Sequence, residues 1–209
     1  MAQAYQCPSC GAPVNFASLA NAYAVCAYCR AMLVRHDMDL DNLGKMAQLM
    51  DDSSPLQIGT TGVFKKMSFS LIGRLQQVWD QGYWNEWHML ISKKERAWLA
   101  EAQGFYGLCF EQSKITPPAK EKIAIGYEMK MGGRVYEVTD IKEVVTKAWE
   151  GELPSLVNPN SKFLSVDLSA EEPYFASFNY HEKGADVFLG VYKDFEALQF
   201  RNLRELEDW

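Results

Sequence analysis

From Phe69 onward the chain alternates between apolar and polar positions. Phe69, Leu71 and Leu75 in "FSLIGRLQQVW", and Tyr83, Trp87, Met89 and Ile91 in "YWNEWHMLI", fall at multiples of two residues. That is the period of a strand with one face buried. "RAWLAEA", "GFYGLCFE", "RVYEVTDI", "FLSVDLS", "YFASFNY" and "DVFLGVY" continue the texture between turns rich in Gly, Pro and charge. The pattern predicts a mainly β protein, with an antiparallel meander or small-barrel domain over residues 55–209.

One stretch departs from that period. In "HDMDLDNLGKMAQLMDDSSP", Leu43, Met46, Ala47 and Met50 recur at helical spacing, and Asp37, Asp39 and Asp41 load the N-terminal end. A short linker helix over residues 36–54, stopped by Pro55, is the expectation. The tail "DFEALQFRNLRELEDW" mixes both periods and is expected to begin as a strand and finish as a helix. An internal repeat is also suggested. Phe69 and Tyr136, Trp84 and Trp149, and Trp98 and Leu164 are offset by 67, 65 and 66 residues. Two copies of one β unit, about 55–118 and 119–209, would give such offsets.

The N-terminal residues obey a different rule. Cys7 and Cys10 form one C-x-x-C pair, and Cys26 and Cys29 a second, with 15 residues between them. Two such pairs at this distance are the pattern of a four-cysteine zinc site, with iron in the same thiolate cage as the competitor. Pro8 and Gly11 suit the first metal-binding turn; in the second, Arg30 stands where a glycine would be easier. Val14 and Phe16 alternate, and "AYAV" returns across a "SLAN" bend. Residues 1–35 therefore read as a zinc ribbon, a piece too small to fold without its metal.

Composition narrows the class. Of 209 residues 48% are hydrophobic and 13% aromatic, ample for a core. The net charge of −6 disfavours a general nucleic-acid binder, which needs a basic face. The ribbon has Arg30 and Arg35 as its cations and no acid, and four thiolates on a divalent ion bring −2, so it sums to about zero. No apolar run is long enough to span a membrane. "MAQAYQ" has neither the basic start nor the apolar core of a signal peptide, so a reducing cytoplasm is expected.

"LQIGTTGVF", "IGRLQ", "WNEWHML", "AWLAEAQG", "GELP" and "VDLS" resemble the bacterial family known as domain of unknown function 4178, including members with a CPxCG…CxYCR ribbon in front. The resemblance implies a soluble bacterial domain with no established activity, encoded at times near polyamine-synthesis homologues and small envelope-stress membrane proteins.

The residues carry no G-x-S-x-G, P-loop, G-x-G-x-x-G or H-E-x-x-H motif. His88 beside Glu86 is the one candidate base, and it reads as a structural strand histidine. Cys109, in an apolar strand, reads as an inert thiol. A non-enzymatic adaptor that presents surfaces to another protein is the preferred reading. The alternative is a small-molecule module for an organic cation such as a polyamine. That alternative rests on "WDQGYWNEW", where aromatic faces stand beside carboxylates. Trp84, Glu86 and Trp87 are its candidate ligand residues, joined by Glu152 and Asp167 if the two halves face each other.

Overall fold

The computed structural model describes residues 4–37, 39–91, 96–182 and 184–205. Five short strands come first: β1 (Ala4–Gln6), β2 (Pro13–Asn15), β3 (Tyr23–Val25), β4 (Ala31–His36) and β5 (Asp39–Lys45). Next follow β6 (Thr61–Phe64), β7 (Met67–Trp79), β8 (Gly82–Leu90), β9 (Arg96–Ala102) and β10 (Phe105–Glu111). The chain continues with β11 (Glu128–Met131), β12 (Arg134–Leu153), β13 (Lys162–Ser169), β14 (Tyr174–His181) and β15 (Gly184–Lys193).

Two antiparallel meanders, β7–β10 and β12–β15, join edge to edge. β10 pairs with β15, and β12 returns to pair with β7, so eight strands close into an antiparallel barrel. β12 makes the closure possible through its length. Glu137–Val145 pairs with β13, Val145–Gly151 pairs with β7, and Glu152–Leu153 continues into the ribbon sheet beside β3. Gly73 and Gly151 are partners at this crossing. A Cβ on Gly73 would lie 2.0 Å from the Glu152 carbonyl oxygen, and one on Gly151 would lie 2.3 Å from that of Ile72. Only glycine admits backbones this close.

The barrel turns its apolar side outward. Phe69, Leu71, Trp87, Met89, Leu99 and Leu108 form one outer core, covered by Leu56, Phe64 and Leu198 with Phe195 and Phe200 beside them. Tyr136, Val138, Val166, Leu168, Phe178 and Val187 form a second, covered by Met131, Ile115, Ile123 and Tyr127. The opposite faces, with Gln77, Glu86, Thr146, Ser165, Asp167, Ser177 and Asn179, line the lumen. Three β-bulges set this arrangement, one of them between Thr146 and Ala148 where β12 pairs with β7. The pairing of β7 with β8 shifts between Leu71 and Gly73, and that of β12 with β13 between Val138 and Asp140. Each inserts one residue, which turns the rest of the strand over. Phe69 and Leu71 therefore face out while Leu75, Gln77 and Trp79 reach the lumen, although simple alternation puts Phe69, Leu71 and Leu75 on one face.

The linker helix is overturned. Residues 39–45 pair with β4, and residues 46–60 run as an irregular strap over the barrel. Asp39, Asp41, Asn42 and Gly44 are poor helix formers, and the edge of β4 offers a ladder that a helix would forgo. Among its described residues the tail shows neither the expected strand nor the expected helix. Beyond β15 it makes a single 3-10 turn at Glu196–Leu198 and a bridge from Arg201 to Thr61; its last four residues lie outside those described. The hairpins β6–β7 and β11–β12 share one register, Phe64 facing Met67 and Met131 facing Arg134, and both lead to a bulge. Trp84 and Trp149, by contrast, lie on β8 and β12, which are not equivalent strands.

Buried charge fixes the strap and tail to the outer wall. The Asp52 carboxylate accepts from the Arg74 and Arg204 guanidiniums and from Asn85 Nδ2 at 2.9 Å. Arg74 lies 4.9 Å from the Trp87 ring centre, and Trp87 Nε1 donates to Glu101 at 2.9 Å. With the Asp52 and Arg74 side chains 3% and 6% exposed, removing one partner strands the other in a dry site. Asp52→Ala is expected to cost about 3–5 kcal/mol of unfolding free energy in a urea titration. A loss under about 1 kcal/mol, the scale of a surface pair, would show that the strap is not held this way.

Candidate metal centre and lumenal site

The four ribbon cysteines converge. Their sulfurs all lie within 4.8 Å of one another, with Cys7 3.7 Å from Cys29 and Cys10 3.8 Å from Cys26. Four sulfurs at about 2.3 Å from a tetrahedral ion stand about 3.8 Å apart, so the set is disposed to hold a metal. Two matching turns present them. Gly11 N donates to the Cys7 carbonyl at 2.8 Å and Arg30 N to that of Cys26 at 2.9 Å. Gly11 and Arg30 both take left-handed backbone, φ 74° and 60°. Arg30 thus adopts the conformation for which glycine is better suited, and its side chain donates to Gln48 Oε1 at 3.2 Å.

The thiols are electrostatically uneven. Burial pushes the Cys7 thiol up, but backbone hydrogen bonds at Ser9 and Cys10 and the nearby thiols outweigh it and leave it at about 7. A backbone hydrogen bond at Ala12 pulls Cys10 down, yet desolvation and three neighbouring thiols push it to about 12. Metal uptake must therefore displace protons, and it weakens as the pH falls.

Glu152 joins the ribbon to the barrel. Its carboxylate accepts from Ala17 N at 2.5 Å, Ser18 N at 3.2 Å and Asn21 Nδ2 at 3.1 Å, while its carbonyl meets His88 Nδ1 at 3.1 Å. The ribbon's Tyr23, Val25 and Met32, with Met46 at the start of the strap, pack on Leu75, Trp149 and Leu153 at the same junction.

The lumen is a cavity of ≈ 1640 Å³. Glu86 lies deep within it, its carboxylate surrounded by protein yet open to the cavity. Trp84 Nε1 donates to Glu86 Oε1 at 3.0 Å and Gln77 Nε2 to Oε2 at 3.1 Å. Thr146 Oγ1 in turn donates to Gln77 Oε1 at 2.8 Å, which fixes the amide's orientation. Burial pushes the Glu86 carboxyl up; the two hydrogen bonds oppose this, and Asp167 adds to the rise. Further out, Lys142 Nζ donates to Asp140 Oδ2 at 2.5 Å and Asp167 Oδ2 at 2.7 Å. Phe163, His181, Asp186 and Phe188 complete that wall.

Of the five candidate ligand residues, three come together: Trp84, Glu86 and Asp167 line the cavity. Two do not. Trp87 sits on the opposite face of β8, fully buried in the outer core, because neighbouring strand residues point to opposite sides. Glu152 is taken up by the ribbon junction. His88 is fully buried, with its ring 5.1 Å from that of Trp98. Sequence reasoning missed Gln77, Thr146 and Lys142. The bulge at Val138–Asp140 and the β12–β7 closure bring the latter two inward, and neither leaves a local signal.

Residues 57–195 match a family model described as a domain of unknown function (DUF4178). That span opens just before β6 and closes just after β15, so it takes in the barrel and leaves out the ribbon. No curated protein and no solved structure matches the chain. Among the described residues, no helix is long and apolar enough to cross a membrane.

Metal analysis of purified protein is expected to give one equivalent per chain, and the Cys26→Ser protein none; full occupancy in Cys26→Ser would refute the four-sulfur site. Glu86 yields a second expectation with a definite sign. Its folded pKa lies above the unfolded value, so its contribution to stability is present below the ordinary glutamate range and is lost as the pH rises through the folded pKa. Glu86→Gln should therefore raise the melting temperature at pH 8 and leave it nearly unchanged at pH 4. Destabilisation at pH 8 would mean that the carboxylate holds the barrel together instead.

Proposed function

The chain belongs to the DUF4178 family, and on that premise we propose that its barrel is a small-molecule-binding module for an organic cation, carried with a zinc-stapled ribbon. The observation behind this reading is Glu86. A carboxylate oriented by an indole N–H and an amide inside a roomy cavity is raised in pKa by its surroundings, a cost that a cation would relieve. Trp79, Trp84, Trp98 and Phe163 supply aromatic surface around it, and a cation over such a ring gains roughly 0.5–2 kcal/mol. A polyamine fits this chemistry.

Binding without turnover is the reading for the lumen. Its one thiol, Cys109, is pushed well up by burial and by Glu86, so it remains a protonated, poor nucleophile. For the ribbon, a thiolate tetrahedron suits zinc best, with iron as the alternative. An adaptor role for a protein partner is the second reading. Closure of the barrel leaves such a partner few strand edges to pair with, although β5 ends the ribbon side of the sheet.

Calorimetric titration with spermidine at low salt tests the first reading. Saturable binding is expected, weakened at least tenfold, or about 1.4 kcal/mol, in Glu86→Gln. Absence of heat, or equal affinity in the two proteins, would rule it out.

A further inference from the structure

Lys142 occupies a box of its own near the mouth of the lumen. Besides its bonds to Asp140 and Asp167, its ammonium lies 5.3 Å from the Trp79 ring centre and 5.6 Å from that of Trp84. Two carboxylates and two indole faces around one nitrogen form an ammonium receptor in every chemical respect. Trp84 serves both sites, presenting its face toward Lys142 and its N–H to Glu86.

We propose that Trp79, Trp84, Asp140 and Asp167 form an ammonium subsite of the lumen, with Lys142 as a tethered occupant that a ligand's ammonium group displaces. This rests on the lumen being a binding site. Three features favour exchange over a fixed structural pair. The Asp140 and Asp167 side chains are 46% and 43% exposed against 17% for Lys142, so both carboxylates stay open to water and to a competing cation while the ammonium between them is largely covered. The lysine stem is flexible and its ammonium is readily rehydrated. Two carboxylates on one ammonium also leave the box one negative charge in excess, which draws a second cation toward it.

A tethered competitor acts at an effective concentration in the millimolar range for a short flexible link. It therefore raises the concentration at which a free amine can enter, and it rejects amines held by this box alone. A ligand must gain enough elsewhere in the lumen, as at Glu86, to evict it. Lys142 is thus a specificity-determining residue that selects cations with more than one point of attachment.

The test uses n-propylammonium, which reproduces the end of the lysine side chain and is too short to bridge to other groups. In an NMR titration, Lys142→Met should bind it at least tenfold more tightly than the unmodified protein does. Lys142→Met/Asp167→Asn should lose the gain. Equal affinity in Lys142→Met and the unmodified protein, or a gain that survives Asp167→Asn, would overturn the proposal. A second measurement needs no substitution. The Lys142 ammonium 15N signal should be shielded from exchange in the free protein and lose that shielding when spermidine saturates the lumen; its persistence at saturation would equally overturn the proposal. The two readings separate cleanly. Spermidine binding that depends on Glu86, with no gain in Lys142→Met, removes the subsite and leaves the lumenal function standing. A gain in Lys142→Met without spermidine binding does the reverse.

Discussion

A β-strand has two faces, and in this barrel the apolar one points outward. Everything else in the architecture answers to that constraint. Eight closed strands would otherwise offer water a belt of Leu, Val, Phe and Trp, so the chain needs covering segments. It supplies the strap 46–60 with β6 and the tail on one side, and the stretch 112–131 on the other. Those covers carry the hydrophobic cores, and they free the lumen from the duty of being filled. Small barrels are ordinarily packed solid or shaped around one ligand. Here the interior keeps a carboxylate, amides, hydroxyls and an ion pair because stability is secured elsewhere.

The same economy explains β12. One strand seals the barrel against β7, supplies Lys142 and Thr146 to its interior, and then leaves to join the ribbon sheet. The ribbon is therefore seated on the barrel, held by a shared strand, by the Glu152 carboxylate and by apolar contact with Leu75, Trp149 and Leu153. Glu152 is where the two parts meet: its carboxylate binds the ribbon while its carbonyl touches His88 in the wall.

Much of this was legible in the residues. Paired cysteines point to a metal-binding cluster because sulfur geometry tolerates little variation, and the four sulfurs do converge; each alternating run became a strand. The false helix came from Leu43, Met46, Ala47 and Met50, whose helical spacing is coincidental; Leu43 is exposed while Met46 is buried. Spacing alone does not report the neighbouring edge of β4. Half of the candidate site was visible because Trp84 and Glu86 are two residues apart and must share a face. The other half was not. Asp140 and Lys142 face inward through a bulge, and a bulge reverses every later side chain with no mark in composition. Trp87 was misassigned for the complementary reason, since its aromatic character suits either face and only closure decides which is the lumen.

The proposed lumenal function requires a preorganised carboxylate held at an energetic cost that a cation relieves. Direct titration of the Glu86 carboxyl carbon by 13C NMR, without and with spermidine, examines it at the atom concerned. The expected result is a midpoint clearly above the ordinary glutamate range in the free protein, displaced downward in the complex. An ordinary midpoint that spermidine leaves unmoved would contradict it.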